Sequence, residues 1–257
     1  MKRKRASTSG RATKQSRGSE EAKIEETGRG SPWALVIVFF LLTGVFLFLR
    51  SPFFSVRNYV ITGASRVSHA EIIARSSQRS TNIFDVDLDK AQKTIEASPW
   101  IKAARCTRKF PDTIVIDIDE RRPIMFAPVG GKMWLIDEQG RVLQEDDGVF
   151  DDLIAFTGIQ DVLAPGQFLK PQYDWGLKIV ARLGPVSQNR VIELNVEDRE
   201  CILILDDGCK VFMGEDEPGS EARIELLESI VVELEEEGKL AEYIDLRFDK
   251  HAVKLKL

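Results

Sequence analysis

The chain has 257 residues, 43% hydrophobic and 30% charged, with a formal net charge of −5. That balance is ordinary for a folded globular protein and too polar for a multi-span membrane protein. The charge is unevenly placed: residues 1–29 hold nine Lys/Arg against four Glu, a net of +5, so residues 30–257 carry −10.

Residues 1–30 are a Lys/Arg/Ser/Thr/Gly-rich segment without apolar periodicity and are expected to be a disordered basic tail. The run Lys2-Arg3-Lys4-Arg5 suits a tail beside an anionic membrane leaflet, and no specific nucleic-acid binding is expected of it. Residues 33–49, WALVIVFFLLTGVFLFL, carry no charge and lie between Arg29 and Arg50. As a helix they extend roughly 25 Å, and with residues 30–32 they approach the ~30 Å hydrocarbon layer, so residues 31–50 are expected to form a single transmembrane helix. A cleaved signal would have a shorter apolar core of about 7–15 residues ending in small residues. Here Arg50-Ser51-Pro52-Phe53-Phe54 follows, which favours an uncleaved anchor. The basic flank then places the N-terminus in the cytoplasm and the acidic bulk across the plasma membrane.

Residues 53–123 read as a compact β-α-α-β-β unit. Residues 56–62 are β-branched and aromatic, closed by Gly63. Ser68-His69-Ala70-Glu71 is a capping-box pattern that should start a helix with Ile72 and Ile73 inward. Asp87 should cap a second helix in which Leu88, Ala91 and Ile95 share a face, ended by Ser98-Pro99. Residues 101–108 and 113–120 form two strands; in the latter Ile114, Ile116 and Ile118 face one way. Two helices covering one face of a three-stranded sheet make a small α+β module.

Residues 124–257 read as a second domain, a mixed antiparallel sheet with two helices, which puts the whole chain in the α+β class. Pro128-Val129-Gly130-Gly131 marks a hairpin between residues 125–127 and 133–136, and Asp137-Glu138-Gln139-Gly140 a turn into residues 141–144. Residues 173–183 have helical spacing at Trp175, Ile179, Val180 and Leu183, and Gly184-Pro185 is expected to stop them. Strands are expected at 191–196, 200–205 and 210–213. Residues 221–237 form an amphipathic helix with Ile224, Leu227, Ile230, Val231 and Leu234 inward, closed by Gly238. Strands at 243–248 and 252–257 end the domain, the last alternating Val253, Leu255 and Leu257 with Lys254 and Lys256.

Neither histidine, His69 or His251, has metal-ligand spacing, and the chain holds no GxSxG, GxxxxGK[ST], HExxH or GxGxxG. The acidic clusters fall on turns or outer faces, where solvated charge is the ordinary occupant. No catalytic, cofactor-binding or metal-binding residue is assigned, and no cofactor is expected. Cys201 and Cys209 flank a hairpin turning at Asp206-Asp207-Gly208, which separates them by roughly 13 Å at ~3.3 Å per residue. That exceeds the ~7 Å Cα limit for a disulfide, so these two and Cys106 read as quiet, buried thiols.

Several motifs together resemble the FtsQ/DivIB cell-division family: Val60-Ile61-Thr62-Gly63, Asn82-Ile83-Phe84-Asp85-Val86-Asp87-Leu88, Pro99-Trp100-Ile101-Lys102, Arg108-Lys109-Phe110-Pro111-Asp112, Glu120-Arg121-Arg122-Pro123, Trp134-Leu135-Ile136-Asp137 and Tyr243-Ile244-Asp245-Leu246-Arg247-Phe248. The resemblance runs in order over about residues 31–257. It implies that 53–123 is a POTRA domain and 124–257 the family's β domain. It also implies a non-enzymatic, single-pass scaffold of the division septum that recruits FtsB-like and FtsL-like bitopic proteins and, through them, the septal peptidoglycan synthase. The partner contact carried over from the family falls on Arg247, Phe248, Asp249, Ala252, Val253, Lys254 and Leu255. Phe248 stands where family members often carry Tyr.

Physical reasoning reaches a compatible binding mode. A terminal strand with one unpaired edge offers backbone groups to an incoming strand, and Lys254 and Lys256 suit an acidic partner or guard the edge against aggregation. Two other functions would each need a feature of their own. A POTRA-bearing outer-membrane assembly or secretion factor needs a many-stranded barrel that about 130 residues with two helices do not supply. A membrane-anchored wall hydrolase needs two carboxylates about 5–10 Å apart across a cleft. Trp100 is expected to be a packing anchor.

Overall fold

The computed structural model describes residues 32–76, 82–150, 152–248 and 250–256. The tail 1–30, Asp249 and Leu257, on which some expectations rest, lie outside them.

Helix α1 (Pro32–Leu49) is apolar on every side and carries no charge. Its side chains from Trp33 onward are exposed except that of Thr43, whose hydroxyl donates to the Phe39 carbonyl at 2.8 Å. A helix apolar all round belongs in a protein core or in lipid. Its 18 residues make about 27 Å. Among the described residues no helix is long and apolar enough to cross a membrane.

Residues 50–257 form one compact unit built on two sheets, so the division expected at 123/124 falls inside it. The first sheet has the order β1-β3-β2, with β1 (Asn58–Thr62) parallel to β3 (Thr113–Glu120) and β2 (Ile101–Lys109) antiparallel to it. Helices α2 (His69–Ser76) and α3 (Leu88–Glu96) connect β1 to β2. Ser68 caps α2, its hydroxyl accepting from the Glu71 amide at 3.2 Å, while the Glu71 carboxylate turns to Arg75 instead of completing the box. Asp87 caps α3 through the Lys90 amide at 3.0 Å. Ile72, Ile83, Ile95, Ile101 and Ile116 are fully buried between helices and sheet.

The second sheet has nine strands in the order β12-β11-β10-β9-β8-β7-β4-β5-β6. They are β4 (Pro123–Val129), β5 (Lys132–Asp137), β6 (Val142–Glu145), β7 (Ile154–Thr157), β8 (Val191–Glu197), β9 (Glu200–Leu205), β10 (Lys210–Gly214), β11 (Ala241–Asp245) and β12 (Ala252–Leu255). The sheet is mixed: β7 lies parallel to both β4 and β8, and β10 parallel to β11. Each parallel step from β7 to β8 and from β10 to β11 needs a crossover, supplied by α4 (Asp174–Arg182) with α5 (Pro185–Arg190) and by α6 (Glu221–Glu236). Trp175, Ile179, Val180, Ile224, Leu227, Val231 and Leu234 pack on Phe156, Leu194, Leu203, Val211 and Ile244.

Three expectations need correction. The domain has three helices rather than two, because Gly184-Pro185 opens α5 instead of only closing α4. Gly184 is extended at φ −68°, ψ 166°, and Pro185 takes the first helical turn, where a missing N–H costs nothing. Strand β7 was not expected at all. The expected strand 243–248 starts earlier and stops at Asp245, leaving Arg247 and Phe248 in a bend.

The two sheets meet on β5 and β6, whose alternate residues feed different cores. Ile136 and Val142 join the helix-side core of the large sheet, whereas Leu135 and Leu143 join the core of the first. Trp100 does more than anchor its own module: its indole donates to Gln144 Oε1 at 2.9 Å and stacks on Phe150 at 6.2 Å, with the Arg66 guanidinium 4.8 and 4.3 Å from the two rings. Arg121 donates to Asp137 at 2.5 Å and to Gln139 at 2.8 Å, both members of the Arg121–Asp137 pair being buried.

Candidate partner-binding edge

Among the described residues β12 has a neighbour on one side only, β11. Its register is Asp245↔Ala252, Ile244↔Val253 and Tyr243↔Lys254. Ile244 is fully buried beneath the helices and Tyr243 half-buried on the opposite face, so Val253 shares the helix-side face and Lys254 the other. The alternation read from the sequence therefore holds through Lys254. All four β12 residues are exposed, Val253 at 37% and Leu255 at 42%, because α6 covers β11 but not the last strand. An exposed, short, apolar-faced edge is a ready template for strand addition.

The lysines are engaged within the chain. Lys254 Nζ lies 2.7 Å from Glu242 and 5.9 Å from the Tyr243 ring centre, and Lys256 Nζ donates to the Asp207 carbonyl at 2.6 Å. An incoming acidic segment would compete with Glu242 for Lys254.

Arg247 and Phe248 lie in the bend between β11 and β12. Arg247 grips Asp245 with Nε at 3.0 Å and its second nitrogen at 2.8 Å, and lies 3.7 Å from Glu200. The fork raises the guanidinium pKa and, outweighing partial burial, holds the Asp245 carboxyl below the usual range. The same guanidinium is 4.9 Å from the Phe212 ring and 5.6 Å from Phe248, which is 68% exposed. Gly214 makes room for it: a Cβ there would come within 3.1 Å of Arg247 Cγ.

Of the seven residues expected to bind a partner, Ala252, Val253, Lys254 and Leu255 lie on the edge strand, Arg247 and Phe248 lie in the bend that precedes it with the Arg247 guanidinium turned over Phe212 of β10, and Asp249 is outside the described residues. Phe212 and Tyr243, 6.3 Å apart, complete the surface. Sequence reasoning passed over both; Phe212 between buried Val211 and Met213 was the available signal, since alternation puts it on the other face.

No metal-binding group of three or more His, Cys, Asp or Glu occurs among the described residues. Cys106, Cys201 and Cys209 are buried and unbonded, and burial pushes the Cys201 thiol to about 12 and the Cys209 thiol to about 11. Cys201 pairs with Gly214 at the far end of the hairpin from Cys209.

Comparison with known proteins places these features in a lineage. The FtsQ-type POTRA domain model matches residues 54–121, and the C-terminal domain model of cell division protein FtsQ/DivIB matches residues 126–247. The chain is 30% identical over 228 residues to the cell division protein FtsQ of Syntrophotalea carbinolica, covering 85% of this chain and 79% of that protein. It is 26% identical over 207 residues to FtsQ of Myxococcus fulvus, covering 77% and 71%. The extracytoplasmic domain of DivIB from Geobacillus stearothermophilus matches 37% of this chain and 78% of that chain at 17% identity and a TM-score of 0.28, too slight to carry weight. Two family domains in sequence within one compact unit, with relatives matched over most of their length, make this chain a member of the FtsQ/DivIB family of cell-division proteins.

Proposed function

We propose that the protein is a single-pass scaffold of the bacterial division septum whose β12 edge captures an extended segment of an FtsB-like bitopic protein, alone or with its FtsL-like companion, and thereby helps to recruit the septal peptidoglycan synthase. Family membership supports the divisome role. The observation that carries the binding mode is the outer edge of β12, unpaired among the described residues and exposed along its whole length. An added strand would extend the sheet through main-chain hydrogen bonds, with Val253 and Leu255 meeting apolar side chains on one face. The action is binding, not catalysis.

In the same proposal α1 anchors the protein in the plasma membrane, with the basic tail in the cytoplasm and residues 50–257 on the far side. An apolar helix somewhat shorter than the ~30 Å layer is accommodated by local thinning and by snorkelling of a flanking residue such as Arg50. The domains are assigned as tail 1–30, anchor 31–50, POTRA 53–123 and β domain 124–257.

The test is capture of an FtsB-like partner by detergent-solubilised full-length protein. Phe248→Ala and a truncation before Ala252 are expected to weaken capture while leaving the folded module and membrane insertion intact; the truncation, which removes the ladder between β11 and β12, lowers Tm somewhat and Phe248→Ala does not. Undiminished capture by both variants would refute the edge proposal. A reporter fused after Leu257 is expected outside the cytoplasm; finding it in the cytosol would refute the anchor.

A further inference from the structure

The first sheet has an exposed aromatic end that the partner edge does not use. Phe53, Phe54, Phe84 and Phe110 form a continuous row of rings with centroid spacings of 5.1, 5.1 and 5.2 Å. Only Phe54 is buried; Phe53 is 57% exposed, Phe84 42% and Phe110 56%. They come from three separate segments: the short turn Pro52–Phe54, the loop leading into α3, and the β2–β3 turn. Single exposed apolar residues are ordinary, but three exposed rings joined through buried Phe54 into one row form a patch that water disfavours.

The chain's connectivity indicates what covers it. Only Arg50, Ser51 and Pro52 separate Phe53 from Leu49, the last residue of α1, so even a fully extended link keeps Phe53 within about 14 Å of the helix end. The β2–β3 turn lies at this same end, because the amides of Arg57, just before β1, and of Asn58, its first residue, both donate to the Asp112 carbonyl at 2.9 and 3.3 Å. The charges there also fit. Asp85 is paired with Arg50, Asp112 accepts from the Asn58 and Thr113 side chains, and Asp87 caps α3; exposed Arg57 reaches the Pro52 carbonyl, next to Phe53, at 3.2 Å, and exposed Lys109 directly precedes Phe110.

We infer that this end of the POTRA module is a lipid-contacting surface: Phe53, Phe84 and Phe110 enter the headgroup region of the bilayer that holds α1, and Arg57 and Lys109 meet lipid phosphates. Aromatic rings are favoured at that depth, and basic side chains near an anionic surface add to the attraction. The inference rests on α1 being the anchor. Its consequence is a module held against the membrane instead of swinging on its tether, with the β12 edge presented from a fixed base.

The test uses the full-length chain in vesicles of phosphatidylethanolamine and phosphatidylglycerol, spin-labelled at Val38→Cys, Lys109→Cys or Glu235→Cys. Each label is read by its accessibility to oxygen against a water-soluble nickel chelate; the three native cysteines are buried. The Val38 label is expected among acyl chains, the Lys109 label to favour oxygen, and the Glu235 label, on exposed α6 surface, to favour nickel. Adding Phe84→Ser and Phe110→Ser should turn the Lys109 label to nickel and leave Val38 unchanged. A Val38 label in water would overturn both the anchor and the inference. A deep Val38 label with a nickel-favouring Lys109 label would overturn the inference alone, as would a Lys109 label indifferent to loss of the two rings.

Discussion

Arg121→Met should be among the most damaging single substitutions in residues 50–257, and the reason is local. Arg121 and Asp137 have side chains 7% and 2% exposed, and they link the end of β3 to the end of β5 where the two sheets meet. Removing one partner of a buried pair leaves the other charge without its counter-ion, which typically costs about 3–5 kcal/mol. Here the Asp137 carboxylate keeps two donors, the Gln139 amide at 3.0 Å and the Arg141 amide at 2.8 Å, and the Arg141 guanidinium, which in the native chain repels Arg121, remains as a more distant counter-charge, so the lower end of that range, about 3 kcal/mol, applies. For a unit of this size that loss corresponds to a fall in Tm of roughly 6–12 °C. Arg121→Met with Asp137→Asn should recover most of it, because Asn keeps an oxygen for the two amides and carries no charge. Thermal unfolding of full-length protein in detergent gives the comparison. A single variant that loses less than about 2 °C, or a double variant as unstable as the single, would refute the idea that an uncompensated charge sets the cost.

Glu120 makes stability depend on acid. Burial works against its charged form, but the Val67 amide at 2.8 Å, the Ser65 hydroxyl at 2.7 Å and the Arg66 amide together hold its carboxyl below the usual range. The stabilisation is present above the unfolded-state value of about 4.3 and is lost as pH falls through the lower folded-state value. The stability gap between the native chain and Glu120→Gln should therefore be constant near neutrality and narrow below about pH 4; a pH-independent gap would refute it. Gly158→Ala should destabilise by roughly 2 kcal/mol or more, since φ is +85° and a Cβ would lie 2.0 Å from the Val196 carbonyl oxygen; chemical denaturation measures it. Leu255→Pro should reduce partner capture with little effect on Tm, because the Leu255 N–H faces the free edge, the next residue, Lys256, turning its own N–H inward to the Leu240 carbonyl. Equal capture by this variant would indicate a partner held by side chains alone.

What could be read from the sequence was local. Ser68 and Asp87 announced two helix starts, and Ile114, Ile116 and Ile118 announced one strand face, because caps and alternation are short-range patterns. Strand β7 escaped notice because Ile154-Ala155-Phe156-Thr157 is four residues long and becomes a strand through its parallel neighbours β4 and β8, which are remote in sequence. Gly184-Pro185 was ambiguous for a different reason: the same pair serves as a stop for one helix and as the first turn of the next. At the candidate site, the exposed alternation of 252–255 was legible. That β12 closes one end of a nine-stranded sheet was not, since the order β12-β11-β10 depends on the crossover through α6. The junction of Arg66, Trp100 and Phe150 was likewise hidden, each residue being ordinary by itself.

The central claim is that a partner strand lies along β12. The most direct measurement is photocrosslinking in dividing cells, with a benzophenone amino acid placed in turn at Lys254, at Leu255 and, as a control, at exposed Ile192 on β8. An adduct with an FtsB-like protein from positions 254 and 255 and none from 192 is predicted. Adducts absent from β12, or formed equally from Ile192, would contradict it.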